Sequence, residues 1–260
     1  MFTAVLDYAT NSVRTLVAHC VDGTKLGLRH SHPTAALLLA LCVALPGRSE
    51  PLPTDLQRYA TEIARYEQED RQRFPAKGGT LFVGSSTIRM WSTIARDFPA
   101  HSVINRGFGG ARISEVTQNI HRIVFPYAPR QIVFFAGGND LADGHAPEQA
   151  AADFRTFVQL VRKRLPEIPI AYIGIYHNPF RWIYREKFET ANALIAEFCQ
   201  RTPGLVFIET AGAFLGEDGF PRKSSFAEDQ LHLNASGYNV LADLVRPHLH
   251  NQKKPGPNGR

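Results

Sequence analysis

Cysteine is scarce in this chain. There are three, Cys20, Cys42 and Cys199, in 260 residues, and none stands in a CxxC pair or at Cys/His zinc spacing. That excludes a structural zinc site of the usual kind. His30 and His32 lie close together, but their polar surroundings read as solvated chain rather than a metal pair. An excess of one charge is also missing. Lys and Arg number 29 against 24 Asp and Glu, a net of +5. No basic cluster is interleaved with aromatics, so a nucleic-acid partner is not expected. There is no internal repeat and no low-complexity tract. Nor is there an apolar run long enough to cross a bilayer comfortably. The longest, "TAALLLALCVALP" at 34–46, falls short.

That run follows Lys25 and Arg29, and it suits the apolar region of a secretory signal with a cut beside Ala44. The protein is then expected to be secreted or periplasmic, and cytoplasmic if the segment is not a signal. Cleavage there would leave Cys199 as the sole cysteine. "GRSEPLP" at 47–53 reads as a linker, and "NQKKPGPNGR" at the end as a solvated basic tail. The expected organisation is therefore an extension over 1–52, one domain over 53–250, and a disordered tail over 251–260. With 44% hydrophobic and 20% charged residues, the composition is that of a soluble globular protein.

Within the domain, a charged helix is expected from about 54, capped by Thr54 or Asp55. Apolar runs at 80–84, 102–105, 131–136, 169–176 and 204–208 read as strands. Helical patterns fall at about 86–96, 112–123, 147–165, 185–201 and 234–248. Pro166 and Pro203 stand just past two helix ends, as breakers should. Apolar strands alternating with helices imply a parallel sheet buried on both faces.

Ligands of such sheets bind beyond the carboxyl ends of the strands. Polar and glycine residues recur there: Gly84-Ser85-Ser86, "NRGFGGARIS" from Asn105, "GGND" at 137–140, "HNPFRW" at 177–182, and "EDQLHLNASGY" before the last helix. A serine hydroxyl needs a base to become a nucleophile. His232 can be that base, with Asp229 three residues earlier to hold its ring. Read alone, D-x-x-H is a capped turn and a surface histidine, with Asn234 or Ser236 left to cap the last helix. An oxyanion needs N–H donors, which "GFGG" at 107–110 and the Asn139 side chain offer. Read alone, both stretches are turns.

Taken together, Gly84-Ser85-Ser86, Asn105 to Gly110, Gly137-Gly138-Asn139-Asp140 and Asp229-Gln230-Leu231-His232 resemble the SGNH hydrolases, also called GDSL esterases/lipases. The resemblance spans roughly 76 to 248. Within the family it is nearest in character to bacterial acylhydrolases similar to platelet-activating-factor acetylhydrolase subunits. It implies a three-layer α/β/α sandwich with a flavodoxin-like five-stranded parallel sheet. It also implies Ser86 as nucleophile, His232 as general base and Asp229 as its orienter. The oxyanion donors would be the Ser86 and Gly110 N–H groups and the Asn139 side chain, with no metal and no cofactor. Gly138 and Asp140 are expected to shape the Asn139 loop. One position departs from the family: Ser85 stands where the name motif has aspartate.

The expected activity is hydrolysis of acyl esters, short ones by preference, in a small-molecule lipid or acylated sugar. The alternatives are a carbohydrate O-deacetylase and a noncatalytic binding module on the same fold. Phe180, Arg181 and Trp182 are the expected substrate-side residues. The short loops offer no lid. The sequence is silent on oligomeric state.

Overall fold

A computed structural model describes residues 59–250. The extension, the 34–46 segment, the Thr54/Asp55 cap and the basic tail lie outside the described residues. Helix α1 (Ala60–Gln72) leads into strand β1 (Thr80–Gly84). Two single turns follow, α2 (Ser86–Arg89) and α3 (Ile94–Asp97), then β2 (Val103–Gly107), α4 (Ile113–Gln118) and α5 (Ile120–Ile123). Next come β3 (Gln131–Phe135), the short α6 (Gly138–Ala142), α7 (Pro147–Arg164) and β4 (Ile170–Ile173). The described chain ends with α8 (Arg185–Arg201), β5 (Leu205–Ile208) and α9 (Ala235–Val245).

The five strands form one parallel sheet in the order β2-β1-β3-β4-β5. This is the flavodoxin-like order, with its switch point between β1 and β3. Side chains alternate across a strand, so each strand feeds two cores. Leu81, Val83, Ile132, Phe134 and Tyr172 face one side, packed with Ile63 of α1, Ile113 of α4, Phe154 and Phe157 of α7, and Ile195 of α8. Phe82, Val133, Phe135, Ala171 and Ile173 face the other, packed with Ile88, Ile94, Leu241 and Val245 of α2, α3 and α9. Helices on both faces of a buried sheet make the α/β/α sandwich.

Three elements are shorter than the sequence pattern suggests, each for a visible reason. The helix expected over 86–96 breaks at Trp91. Its indole fills the core against Phe82, Phe98 and Tyr238, and its N–H needs an acceptor, which Asp97 supplies at 2.7 Å. The pattern over 112–123 is divided at Asn119, whose side chain donates to the Glu115 carbonyl. The strand expected over 169–176 ends at Ile173. Past it, the Asn192 amide takes both backbone groups of Ile175 at 2.8 Å, as a neighbouring strand would have done.

Two glycines let the turn that carries Ser86 pack against its neighbouring strands. Gly84 has φ +144, and a Cβ there would lie 1.9 Å from the Phe135 carbonyl oxygen. Gly107 packs under α2, where a Cβ would lie 2.4 Å from the Arg89 nitrogen and 2.7 Å from Ile88 Cβ. Overpacking of this kind costs about 1–3 kcal/mol. Gly107→Ala is therefore expected to lower the urea midpoint by that equivalent. Gly212→Ala, with nothing within 4 Å of the added carbon, should stay near wild type. Equal midpoints for the two variants would contradict the packing.

Candidate active site

The loops beyond the strand ends converge on Ser86. It opens α2 at the end of β1, so its N–H has no helical acceptor and no partner among the described residues. The turn is pinned from three sides. Asn105 Nδ2 donates to the Ile88 carbonyl at 2.6 Å, the Tyr176 and Thr87 hydroxyls meet at 2.9 Å, and the Tyr238 hydroxyl donates to the Thr87 carbonyl at 2.9 Å. Ser85 is buried and works through its backbone. Its N–H donates to the Phe135 carbonyl, its carbonyl accepts from Ile88 and Arg89, and its hydroxyl makes no cap bond.

His232 and Asp229 arrive on a tight loop before α9. Asp229 Oδ1 accepts the N–H groups of Leu231 at 3.0 Å and His232 at 2.9 Å. Its Oδ2 lies 2.6 Å from His232 Nδ1. The bend needs Gln230 at φ +55, an uncommon conformation for a side chain of that size. On the far side of the ring, His232 Nε2 is 3.0 Å from Ser86 Oγ. Carboxylate, imidazole and hydroxyl thus stand in series. Partial burial pushes the Asp229 carboxyl up. The imidazole bond, the two N–H groups and the imidazole charge outweigh that and hold it down at about 2. Asn234 caps α9, accepting the Gly237 N–H at 3.1 Å, so neither Asp229 nor His232 is needed for that.

The glycine loop after β2 is clamped by α1. The Tyr66 hydroxyl donates to the Gly107 carbonyl, Glu62 accepts the Gly109 N–H at 2.9 Å, and the Tyr59 hydroxyl donates to the Gly110 carbonyl at 3.1 Å. Asn105 Oδ1 takes the Gly107 N–H, and the Gly84 carbonyl takes that of Phe108. Gly110, at φ +70, is the glycine whose N–H has no acceptor among the described residues. Two bonds stitch the Asn139 turn to this loop. Asn139 Nδ2 donates to the Ala111 carbonyl at 2.9 Å, and Asp140 Oδ1 accepts the Ile113 N–H at 3.1 Å.

A cavity of about 30 Å³ opens beside Ser86, lined by Asn139, Tyr176, Asn178, Arg181, Phe188 and His232 among others. Of the three residues expected on the substrate side, Arg181 lines it. Phe180 and Trp182 are not among its lining, and neither is Gly110. Phe180 is exposed, and Trp182 packs on His177 and Phe220 with the Arg185 guanidinium 5.5 Å from its ring. Arg181 is itself committed: its Nη2 donates to Asn139 Oδ1 at 2.9 Å. Sequence reasoning passed over Tyr176 and Asn178, both buried in this wall. The one signal was their place just past a strand end.

Among the described residues, Asp140, His145 and Asp153 bring three potential ligand atoms within 4.8 Å of one another. The Asp140 carboxylate already serves the Ile113 N–H, and the cluster is not part of the cavity lining. Among the same residues, no helix is long and apolar enough to cross a membrane.

A hydroxyl with an imidazole on one side and free N–H donors nearby can attack a carbonyl carbon and shelter the resulting oxyanion. That is the equipment of an ester hydrolase. The family model for the GDSL-like Lipase/Acylhydrolase family matches residues 78–240. The platelet-activating factor acetylhydrolase IB subunit alpha1 of Bos taurus is 26% identical over 207 residues, covering 74% of this chain and 84% of its own. Among solved structures, a putative platelet activating factor from Streptococcus pneumoniae has a TM-score of 0.67 at 19% identity, over 75% of this chain and 94% of that one. A GDSL-like lipase from Bacteroides thetaiotaomicron has a TM-score of 0.58 at 19% identity, over 74% and 96%. The chain belongs to the GDSL-like lipase/acylhydrolase family, whose members hydrolyse carboxylic esters.

Asp140 supplies a test of the stitched loops. Burial pushes its carboxyl up to about 6, against the Ile113 N–H, which favours the ionised form. In the unfolded chain it titrates near 3.9. Its contribution to stability is thus complete below about pH 4 and gone above about pH 6. Two units of displacement correspond to on the order of 3 kcal/mol. Relative to wild type, Asp140→Asn should gain about that much between pH 4 and pH 7 in urea unfolding. A pH-independent difference would contradict a buried, titrating Asp140.

Proposed function

We propose that the chain is a serine esterase that removes short acyl groups. The observation that carries this reading is the series Ser86 Oγ, His232 and Asp229, joined at 3.0 and 2.6 Å. His232 Nε2 takes the Ser86 proton as Oγ bonds to the ester carbonyl carbon. The developing oxyanion is met by the N–H groups of Ser86 and Gly110 and by Asn139 Nδ2–H. One Nδ2 hydrogen is spent on the Ala111 carbonyl, which leaves the other for the substrate. Collapse expels the alcohol, which receives its proton from the imidazolium. A water then repeats the sequence, and the acid leaves Ser86 free. Ionised Asp229 holds the ring and stabilises the imidazolium throughout.

Acyl length follows from space. The cavity beside Ser86 is small, about 30 Å³. A cavity of that size favours a short acyl group beside the nucleophile. Each further CH₂ would gain its roughly 0.8 kcal/mol only if buried. The relative named an acetylhydrolase is in keeping with that reading. Cleavage near residues 45–50 for export is part of the same proposal. N-terminal sequencing of protein from the native host would find it, and an intact Met1 in a cytosolic fraction would exclude it.

The expected outcome across p-nitrophenyl esters is a kcat/KM maximum at C2 to C4. A maximum at C10 or longer would sink the short-acyl reading. Ser86→Ala should abolish turnover and fluorophosphonate labelling, while Ser85→Ala should keep most of both. Asn139→Ala should lower kcat by roughly a hundredfold to a thousandfold with little change in KM. An unlabelled wild-type protein would overturn the reading altogether.

A further inference from the structure

Asn139 is gripped at both ends of its amide. Nδ2 donates to the Ala111 carbonyl at 2.9 Å, and Oδ1 accepts from Arg181 Nη2, also at 2.9 Å. A carbonyl only accepts and a guanidinium only donates. Turning the amide over would set oxygen against oxygen and N–H against N–H. Both neighbours therefore select one orientation. In it, the second Nδ2 hydrogen is the group left over.

Arg181 reaches this position because its own loop is fixed. Asn178 Oδ1 accepts the Arg181 N–H at 2.9 Å. The preceding residue, Phe180, donates its N–H to the Gln230 carbonyl at 3.1 Å. Gln230 lies between Asp229 and His232. One short stretch thus holds the Asn139 amide with a side chain and the histidine loop with its backbone. Packing over Gly138 brings Nη1 to 3.5 Å of where a Cβ would stand. Burial pushes the guanidinium pKa down, the mark of a cation taken partly out of water.

We propose that Arg181 is a positioning residue that fixes and polarises the Asn139 amide, rather than a contact for substrate. The inference rests on the esterase reading for its kinetic consequence, though not for the hydrogen bond itself. A cation on Oδ1 draws density from the amide nitrogen and makes the free N–H a better donor to an oxyanion. Charge-assisted bonds are roughly twice as strong as neutral ones, and linked bonds reinforce one another.

The test is a double-mutant cycle. Arg181→Met keeps an unbranched apolar stem and removes the charge and the donors. It is expected to lower kcat about tenfold to a hundredfold, a part of what a lost oxyanion donor costs, with KM within about threefold on an uncharged acetyl ester. In an Asn139→Ala background the same change should cost nothing further, because Arg181 acts through that amide. Arg181→Lys, which restores a charge and a donor, should recover part of the loss and guards against a fold defect in the methionine variant. Losses that multiply in the double variant, or a loss confined to KM, would overturn the proposal and make Arg181 a substrate contact. A second readout does not depend on activity: the Asn139 side-chain ¹⁵N–¹H pair should shift in Arg181→Met. An unmoved pair would overturn the positioning role. An inactive wild type with a shifted pair would instead fault the esterase reading and leave the positioning role standing.

Discussion

The Asn105 side chain bridges from β2 to the turn that carries Ser86. It donates to the Ile88 carbonyl at 2.6 Å and accepts the Gly107 N–H at 3.0 Å. That bridge is possible only because α2 lies almost on the backbone of Gly107. The serine is consequently held by the sheet edge itself. Everything else approaches a fixed point. The glycine loop continues from β2, the Asn139 turn is stitched to that loop, and the histidine loop reaches Ser86 from the far end of the chain. The position of α2 therefore sets the 3.0 Å contact between Ser86 Oγ and His232 Nε2.

Two aspartates in this region carry opposite electrostatics. Asp229 is held down at about 2 by an imidazole and two N–H groups, so it is ionised at neutral pH. Asp140 is pushed up to about 6 by burial, so it gains and loses its charge within an ordinary pH range. The first is built to accept a positive ring beside it. The second is a brace for the Asn139 turn, and its burial is the cost of bringing that turn under the rim. Residue type does not distinguish them, but surroundings do.

Much of this was legible in the residues. β1 and β3 were read within a residue because strands buried on both faces appear as unbroken apolar runs, and the edge strand β5 because its run is apolar as well. The order of polar blocks along the rim followed from where parallel sheets bind. The misread lengths come from side chains whose tertiary bonds and packing override the local pattern. Asn192 replaces a neighbouring strand for Ile175, and Trp91 leaves the helical pattern to fill the core. The substrate side was read least well. Phe180 and Trp182 are the residue types that wall a cleft, but nothing in "HNPFRW" tells which way a loop turns. Arg181 was visible as a charge near the site. Its bond to Asn139 was not, because 42 residues separate the two and no spacing rule joins them.

The contact between Ser86 and His232 joins positions 146 residues apart, and the last described residues close back on β3, where Gln131 holds the carbonyl of His248 and the N–H of His250. The order of synthesis therefore matters. A growing chain presents Ser86, Gly110 and Asn139 before His232, and α9 follows His232 in order. Until then Ser86 Oγ lacks its imidazole partner. The Ser86–His232 contact therefore forms only after all five strands have been made, together with the packing of α9 on the sheet.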